Sequence, residues 1–95
     1  MKLIWTRPAD ADVREIRRFV AKFNPDSADN VRTSIVLAAK RLKSFPQLGR
    51  AVKRKDLRLF PVPGTPYLLI CSIATDAIII ASVVDGRMDR DPDLW

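Results

Sequence analysis

Histidine is absent from this chain of 95 residues. Its absence excludes Ser-His-Asp and Cys-His nucleophile systems and every histidine metal site. The single cysteine, Cys71, can form neither an internal disulfide nor a thiolate zinc site. That usage fits a reducing compartment, and we expect a cytoplasmic protein whose core holds without a covalent staple. Cys71 lies within an apolar run and reads as an inert core residue. Three scattered glycines build no phosphate-cradling loop. The one tyrosine, Tyr67, opens an apolar segment beside a turn, where packing or hydrogen bonding is its expected role. No metal or cofactor is expected. Arginine, lysine, Tyr67 and carboxylates are what remains for catalysis. A metal-free ribonuclease can stabilise a pentavalent phosphate with such cations. It still needs a group that exchanges protons near neutral pH.

The start of the chain leads straight to Arg7, Pro8 and Asp10, so no signal peptide is read there. Residues 68–84 are mostly apolar, but Asp76 interrupts them beside Thr75. A carboxylate at the centre of a membrane span costs about 2.5 to 3.5 kcal/mol. A pair of strands is the better reading, with no membrane association.

What the chain does have is positive charge, +6 in total. It is unevenly placed. Lys40, Arg41, Lys43, Arg50, Lys53, Arg54, Lys55 and Arg58 crowd around the single Asp56, whereas Asp85, Asp89, Asp91 and Asp93 outnumber Arg87 and Arg90 near the end. Such a field favours a polyanionic partner, nucleic acid or an acidic protein.

Hydrophobic content of 47% with 29% charge is ordinary for a globular chain. At this length residues 1–95 form one domain. Residues 2–6 are a short apolar run and predict a first strand, with Pro8 holding Arg7 extended. Asp10 or Asp12 is the expected cap of a helix, and Asp12 with Glu15 has capping-box spacing. Val13, Ile16, Phe19, Val20 and Phe23 make one apolar stripe. After Asn24-Pro25, residues Val31, Ile35, Ala38, Leu42 and Phe45 make a second, ended by Pro46. So short a connection predicts an antiparallel helical hairpin.

Residues 50–56 read as a basic loop. Residues 57–62 read as a strand whose Pro61 places it at an edge or ends its pairing. Pro63-Gly64-Thr65-Pro66 is a turn. Residues 67–74 and 77–84 then form a hairpin across Thr75-Asp76. These strands carry apolar residues at both parities, unlike an antiparallel sheet with one solvated face. The helical hairpin covers one face; the other is left to the C-terminal Leu94-Trp95, a second copy or another protein, and a partner is the expected cover. The fold class is therefore α+β: an N-terminal strand, a helical hairpin, and a three-stranded antiparallel sheet.

Four segments in this order resemble the RelE/ParE superfamily of bacterial type II toxin–antitoxin toxins: residues 45–50 (FPQLGR), 56–62 (DLRLFPV), 64–71 (GTPYLLIC) and 78–92 (IIIASVVDGRMDRDP). The resemblance spans nearly the whole chain and implies a RelE/ParE-like fold. In the nuclease branch, ribosome-dependent messenger-RNA endonucleases, a catalytic arginine opens the penultimate strand and a His-Tyr or Tyr-type group follows the last. Here those positions hold Tyr67 and Asp85-Gly86, and the GTPY segment is more like the ParE branch, whose members poison DNA gyrase. The resemblance thus implies a gyrase-binding toxin rather than an enzyme. Its expected target contacts are Arg50, Arg58, Arg87, Arg90 and Trp95. It also implies a cognate ParD-like antitoxin, an acidic amphipathic segment forming a hetero-oligomer with the toxin. Ile78, Ile80, Leu68 and Ile70 are the expected antitoxin contacts. The alternative is a RelE-like messenger-RNA endonuclease using Lys53, Arg54, Lys55 and Arg58 on phosphate with Arg87 at the scissile group.

Overall fold

A computed structural model describes residues 1–52 and 56–87. Strand β1 (Lys2–Trp5) leads into helix α1 (Arg7–Ala21) and helix α2 (Pro25–Ser44), followed by a 3-10 turn at Pro46–Leu48. Strands β2 (Arg50–Ala51), β3 (Arg58–Pro61), β4 (Tyr67–Ile73) and β5 (Ala77–Asp85) complete the described residues. The sheet runs β1-β5-β4-β3-β2, antiparallel except for the β1–β5 pair, which is parallel. The α+β class, the hairpin of helices and the β3–β4–β5 meander agree with the sequence reading. Two features were not in it: β1 joins the same sheet, and part of the expected basic loop, Arg50–Ala51, pairs with β3. Pairing of β3 with β4 does end at Pro61, opposite Leu68, as expected where a residue has no amide to donate. Beyond it Gly64 turns with φ of +76°, a conformation that glycine adopts without a Cβ clash.

The start of α1 corrects the expected cap. Thr6 occupies the N-cap, accepting from the Ala9 amide at 3.2 Å. Arg7 is already helical, and Pro8 sits in the first turn, where its missing amide costs nothing. The Thr6 hydroxyl also lies 3.0 and 2.9 Å from the carbonyls of Ile80 and Ala81, sharing its one proton between them. These carbonyls flank a bulge in β5: Ile70 pairs with Ser82 but Cys71 pairs with Ile80, leaving Ala81 extra. On the far side of the bulge the Val83 amide donates to Asp12 at 2.9 Å. Asp12 is therefore no cap. It satisfies the backbone donor of Val83, which lies beyond the last β1–β5 pair, Trp5 with Ile80.

The bulge also decides which residues meet the helices. Without it Val83 would share a face with Ile79; with it Val83 joins Ile78 and Ile80. Ile78, Ile80, Leu69, Cys71 and Tyr67 pack with Val13 of α1 and Ile35, Ala38 and Leu42 of α2 in one buried cluster. The expected contacts Ile78 and Ile80 are accordingly corrected. Both are fully buried under the helices and offer no surface to a partner. Leu68 and Ile70 have the opposite parity. Ile70 and its register partner Leu59 are buried apart from the main cluster, so Ile70 is corrected as an exposed contact too, while Leu68 is half-buried. The ends of both helical stripes stay outside the core: Phe19, Phe23 and Phe45 are exposed, and Phe19 stacks edge-on with Phe23 at 5.3 Å. No helix among the described residues is long and apolar enough to cross a membrane.

Candidate functional site

The sheet presents arginine at two separate places. At the first, Arg58 pairs in register with Cys71, and its Nη1 donates to the Gly49 carbonyl at 2.7 Å. Arg58 thereby fastens the segment after the 3-10 turn to β3. Arg50 stands exposed on the neighbouring edge strand β2. Burial pushes the Cys71 thiol up, with Arg58 offsetting part of the effect, so the thiol stays protonated and unreactive at neutral pH.

The second place is the end of the β4–β5 hairpin. Tyr67 begins β4 directly opposite Asp85, the last residue of β5. The Gly86 amide donates to the Pro66 carbonyl at 2.7 Å, and a Cβ on Gly86 would stand 3.0 Å from that same oxygen and 3.1 Å from Leu68 Cγ. A side chain at this position would press on both atoms and need them to shift by a few tenths of an ångström. The turn delivers Arg87 back to Asp85, whose carboxylate accepts from the Arg87 amide at 2.8 Å, from Nε at 3.1 Å and from Nη2 at 2.8 Å. Hydrogen bonding to Asp85, then its charge, holds the Arg87 cation firmly protonated. The pair stands near the surface, with Arg87 far more open than Asp85.

Tyr67 is buried, and its phenol is pushed above its ordinary range, first by burial and then by Asp85, with Arg87 opposing. A phenol so placed keeps its proton at neutral pH and is a poor general base. Between this strand end and α1 lies an open groove of about 220 Å³, lined by Asp12, Glu15, Ile16 and Phe19 from α1 and by Tyr67, Val83 and Asp85 from the sheet. Among the described residues no three metal-ligating side chains come together.

Of the expected target contacts, Arg87 stands exposed at the strand end, Arg50 at the sheet edge, and Arg58 is tied to a backbone carbonyl. Arg58 and Arg87 are not brought together. Their register partners, Cys71 for one and Tyr67 for the strand end bearing the other, lie about 13 Å apart along β4 at 3.3 Å per residue. Arg90 and Trp95, like Lys53, Arg54 and Lys55, lie outside the described residues. The groove residues Asp12, Glu15 and Phe19 were absent from the sequence expectations, where they served as cap and stripe. The spacing of Glu15 and Phe19, one helical turn apart on one face, was the available signal.

A family model described as the ParE toxin of the type II toxin–antitoxin system parDE matches residues 3–90. Among curated proteins, the chain is similar to Toxin RelE2 of Caulobacter vibrioides, 28% identical over 82 residues that cover 86% of this chain and 91% of the relative. It is also similar to Toxin ParE3 of the same organism, 29% identical over 91 residues that cover 93% of this chain and 89% of the relative. Among solved structures, one titled "Chromosomal ParDE TA system from P. aeruginosa" has the same fold, with a TM-score of 0.79 at 23% identity, covering 90% of this chain and 95% of the other.

Proposed function

We propose a function for this chain from one premise: it belongs to the ParE toxin family of type II toxin–antitoxin systems. Membership makes an antitoxin its partner. Within the family, the reading we favour is a cytoplasmic toxin that inhibits DNA gyrase by binding it, and that is neutralised in a hetero-oligomer with a ParD-like antitoxin. The observation that carries this reading is the end of the β4–β5 hairpin. The nuclease branch needs a proton-transfer group there, and this chain has a buried phenol that keeps its proton beside an arginine clasped by Asp85. That arrangement suits recognition of charge and shape and offers no general base. The accessible cation Arg87, with Arg50 at the sheet edge, is the proposed target contact, while Arg58 acts in the fold.

The test is gyrase supercoiling in the presence of the purified chain. Inhibition that is lost in a folded Arg87→Ala variant supports the reading. A second reading, ribosome-dependent messenger-RNA cleavage, is favoured by the similarity to Toxin RelE2 and by the lysine and arginine density at residues 40–58. Intact gyrase activity together with cleavage of ribosome-bound message would put the second reading in place of the first.

A further inference from the structure

The groove between α1 and the β4–β5 end reverses the charge of the rest of the molecule. The chain carries +6 overall, yet the groove is lined by Asp12, Glu15 and Asp85. Only Asp85 is neutralised locally, by Arg87. Of the nearby cations of α1, Arg14 pairs with Asp10 and Arg17 with Asp29, while Arg18 stands exposed one turn beyond Glu15 with no ion pair to it among the described residues. Asp12 commits one oxygen to the Val83 amide and, as a carboxylate, keeps further acceptor capacity. Glu15 forms no ion pair among the described residues and is exposed at the rim.

A second, independent observation comes from Tyr67. It is only 5% exposed, lines the groove, and its hydroxyl makes no hydrogen bond to a described residue. Buried hydroxyls are normally partnered, so this phenol is an acceptor and donor awaiting a polar group. The remaining wall is apolar and aromatic: Ile16, Val83 and the half-open ring of Phe19. Carboxylates at the rim, a hydroxyl at the base and an aromatic wall suit a side chain with a long apolar stem and a cationic head. A groove of about 220 Å³ has room for one such side chain.

We infer that this groove seats a single arginine or lysine side chain of the antitoxin segment that neutralises the toxin. The inference rests on the toxin–antitoxin reading for the identity of the partner, though the cation seat itself does not. Its consequence is specificity. Generic acidic segments are all attracted to a basic toxin, whereas only one presenting a cation in the right register fills this groove, and others leave its carboxylates facing their own negative charge.

Two measurements test this. In the first, the isotope-labelled full chain is titrated with N-acetyl-arginine methylamide, with the norleucine and glutamate analogues as controls. Saturable shifts at Glu15, Phe19, Tyr67 and Val83 are expected for arginine alone and weakened at least tenfold in Glu15→Lys. Equal shifts with norleucine, or shifts indifferent to Glu15→Lys, would overturn the seat. In the second, the affinity of Glu15→Lys for the acidic protein that rescues growth is compared with the parent. Overall electrostatics alone makes a more basic toxin bind an acidic partner better; the groove requires at least tenfold weaker binding. Unchanged or tighter binding sinks the antitoxin assignment even where arginine binds. If no growth arrest and no acidic partner exist, the family-based function fails, and the arginine titration still decides the groove.

Discussion

The two faces of the sheet carry similar side chains that meet different fates. On the helix-covered face, Leu69, Ile78 and Ile80 are fully buried; on the other, Ile4 is 44% exposed at the β1 edge, and Ile79 and Leu68 are partly buried. Isoleucine is no more apolar on one face than the other, so coverage, not composition, separates Ile80 from Ile79, although Ile70 and Leu59 of the second face are buried as well. The sharpest way to break this contrast is to truncate a matched pair. Ile80→Ala removes a side chain from the fully packed face and should cost about 2 to 5 kcal/mol. Ile79→Ala, its partly buried sequence neighbour, should cost less, roughly 1 kcal/mol, because part of its surface stays in water. Urea denaturation midpoints compare them directly, and equal losses would erase the distinction between the faces.

The contrast depends on the bulge at Ala81, which α1 holds from two sides through Thr6 and Asp12. Thr6→Val keeps the shape, removing both the helix cap and the donor to the bulge carbonyls. A loss of about 1 to 2 kcal/mol is expected, with faster amide exchange at Val83 and its neighbours. If exchange there is unchanged, Thr6 caps the helix without holding the bulge.

That same bulge marks the boundary of what could be read from sequence. The helical stripes, the turn at Thr75-Asp76 and the end of pairing at Pro61 follow from local rules of periodicity and turn chemistry, and the structure has each of them. The parity shift in β5 does not, because Ala81 is an ordinary small residue in an apolar run and carries no local mark. Nor does any local mark say which parity of an all-apolar strand faces the helices, and the expectation put Ile78 and Ile80 on a partner surface when they belong to the core. The parallel β1–β5 pairing and the bonds from Thr6 to the β5 carbonyls were hidden for a related reason: both join residues more than seventy positions apart. At the site, Tyr67 and Arg87 were conspicuous by type. Asp12, Glu15 and Phe19 became a groove wall only once α1 was laid against the strand end.

A smaller effect sharpens the role of the second face. Leu68→Ser alters a half-buried residue, so its cost to stability should stay below about 1 kcal/mol. If the antitoxin covers this face, calorimetric titration with it should register roughly a tenfold loss of affinity, about 1.4 kcal/mol. An unchanged affinity would move the antitoxin off this part of the sheet and onto the exposed aromatic side of the helices, around Phe19 and Phe23.

The smallest effect lies in alkaline solution, and it too separates the faces. Tyr67 and Cys71 both sit on the helix-covered face, and burial is the leading cause that raises each of them. A group whose folded pKa is raised lends stability that is complete below its unfolded value and is lost as pH climbs through the folded one. The decline due to Cys71 should therefore begin near its ordinary value of about 9, and that due to Tyr67 near about 10. Denaturation midpoints measured from pH 8 to 11 should fall in the parent chain. The earlier part of that fall should vanish in Cys71→Ala, and the later part should flatten in Tyr67→Phe. Since Arg87 opposes Asp85 at the phenol, Arg87→Ala should steepen the later part. If the two variants follow the parent throughout, neither group is held away from water by the helices, and the inner face is more open at its ends than its centre implies.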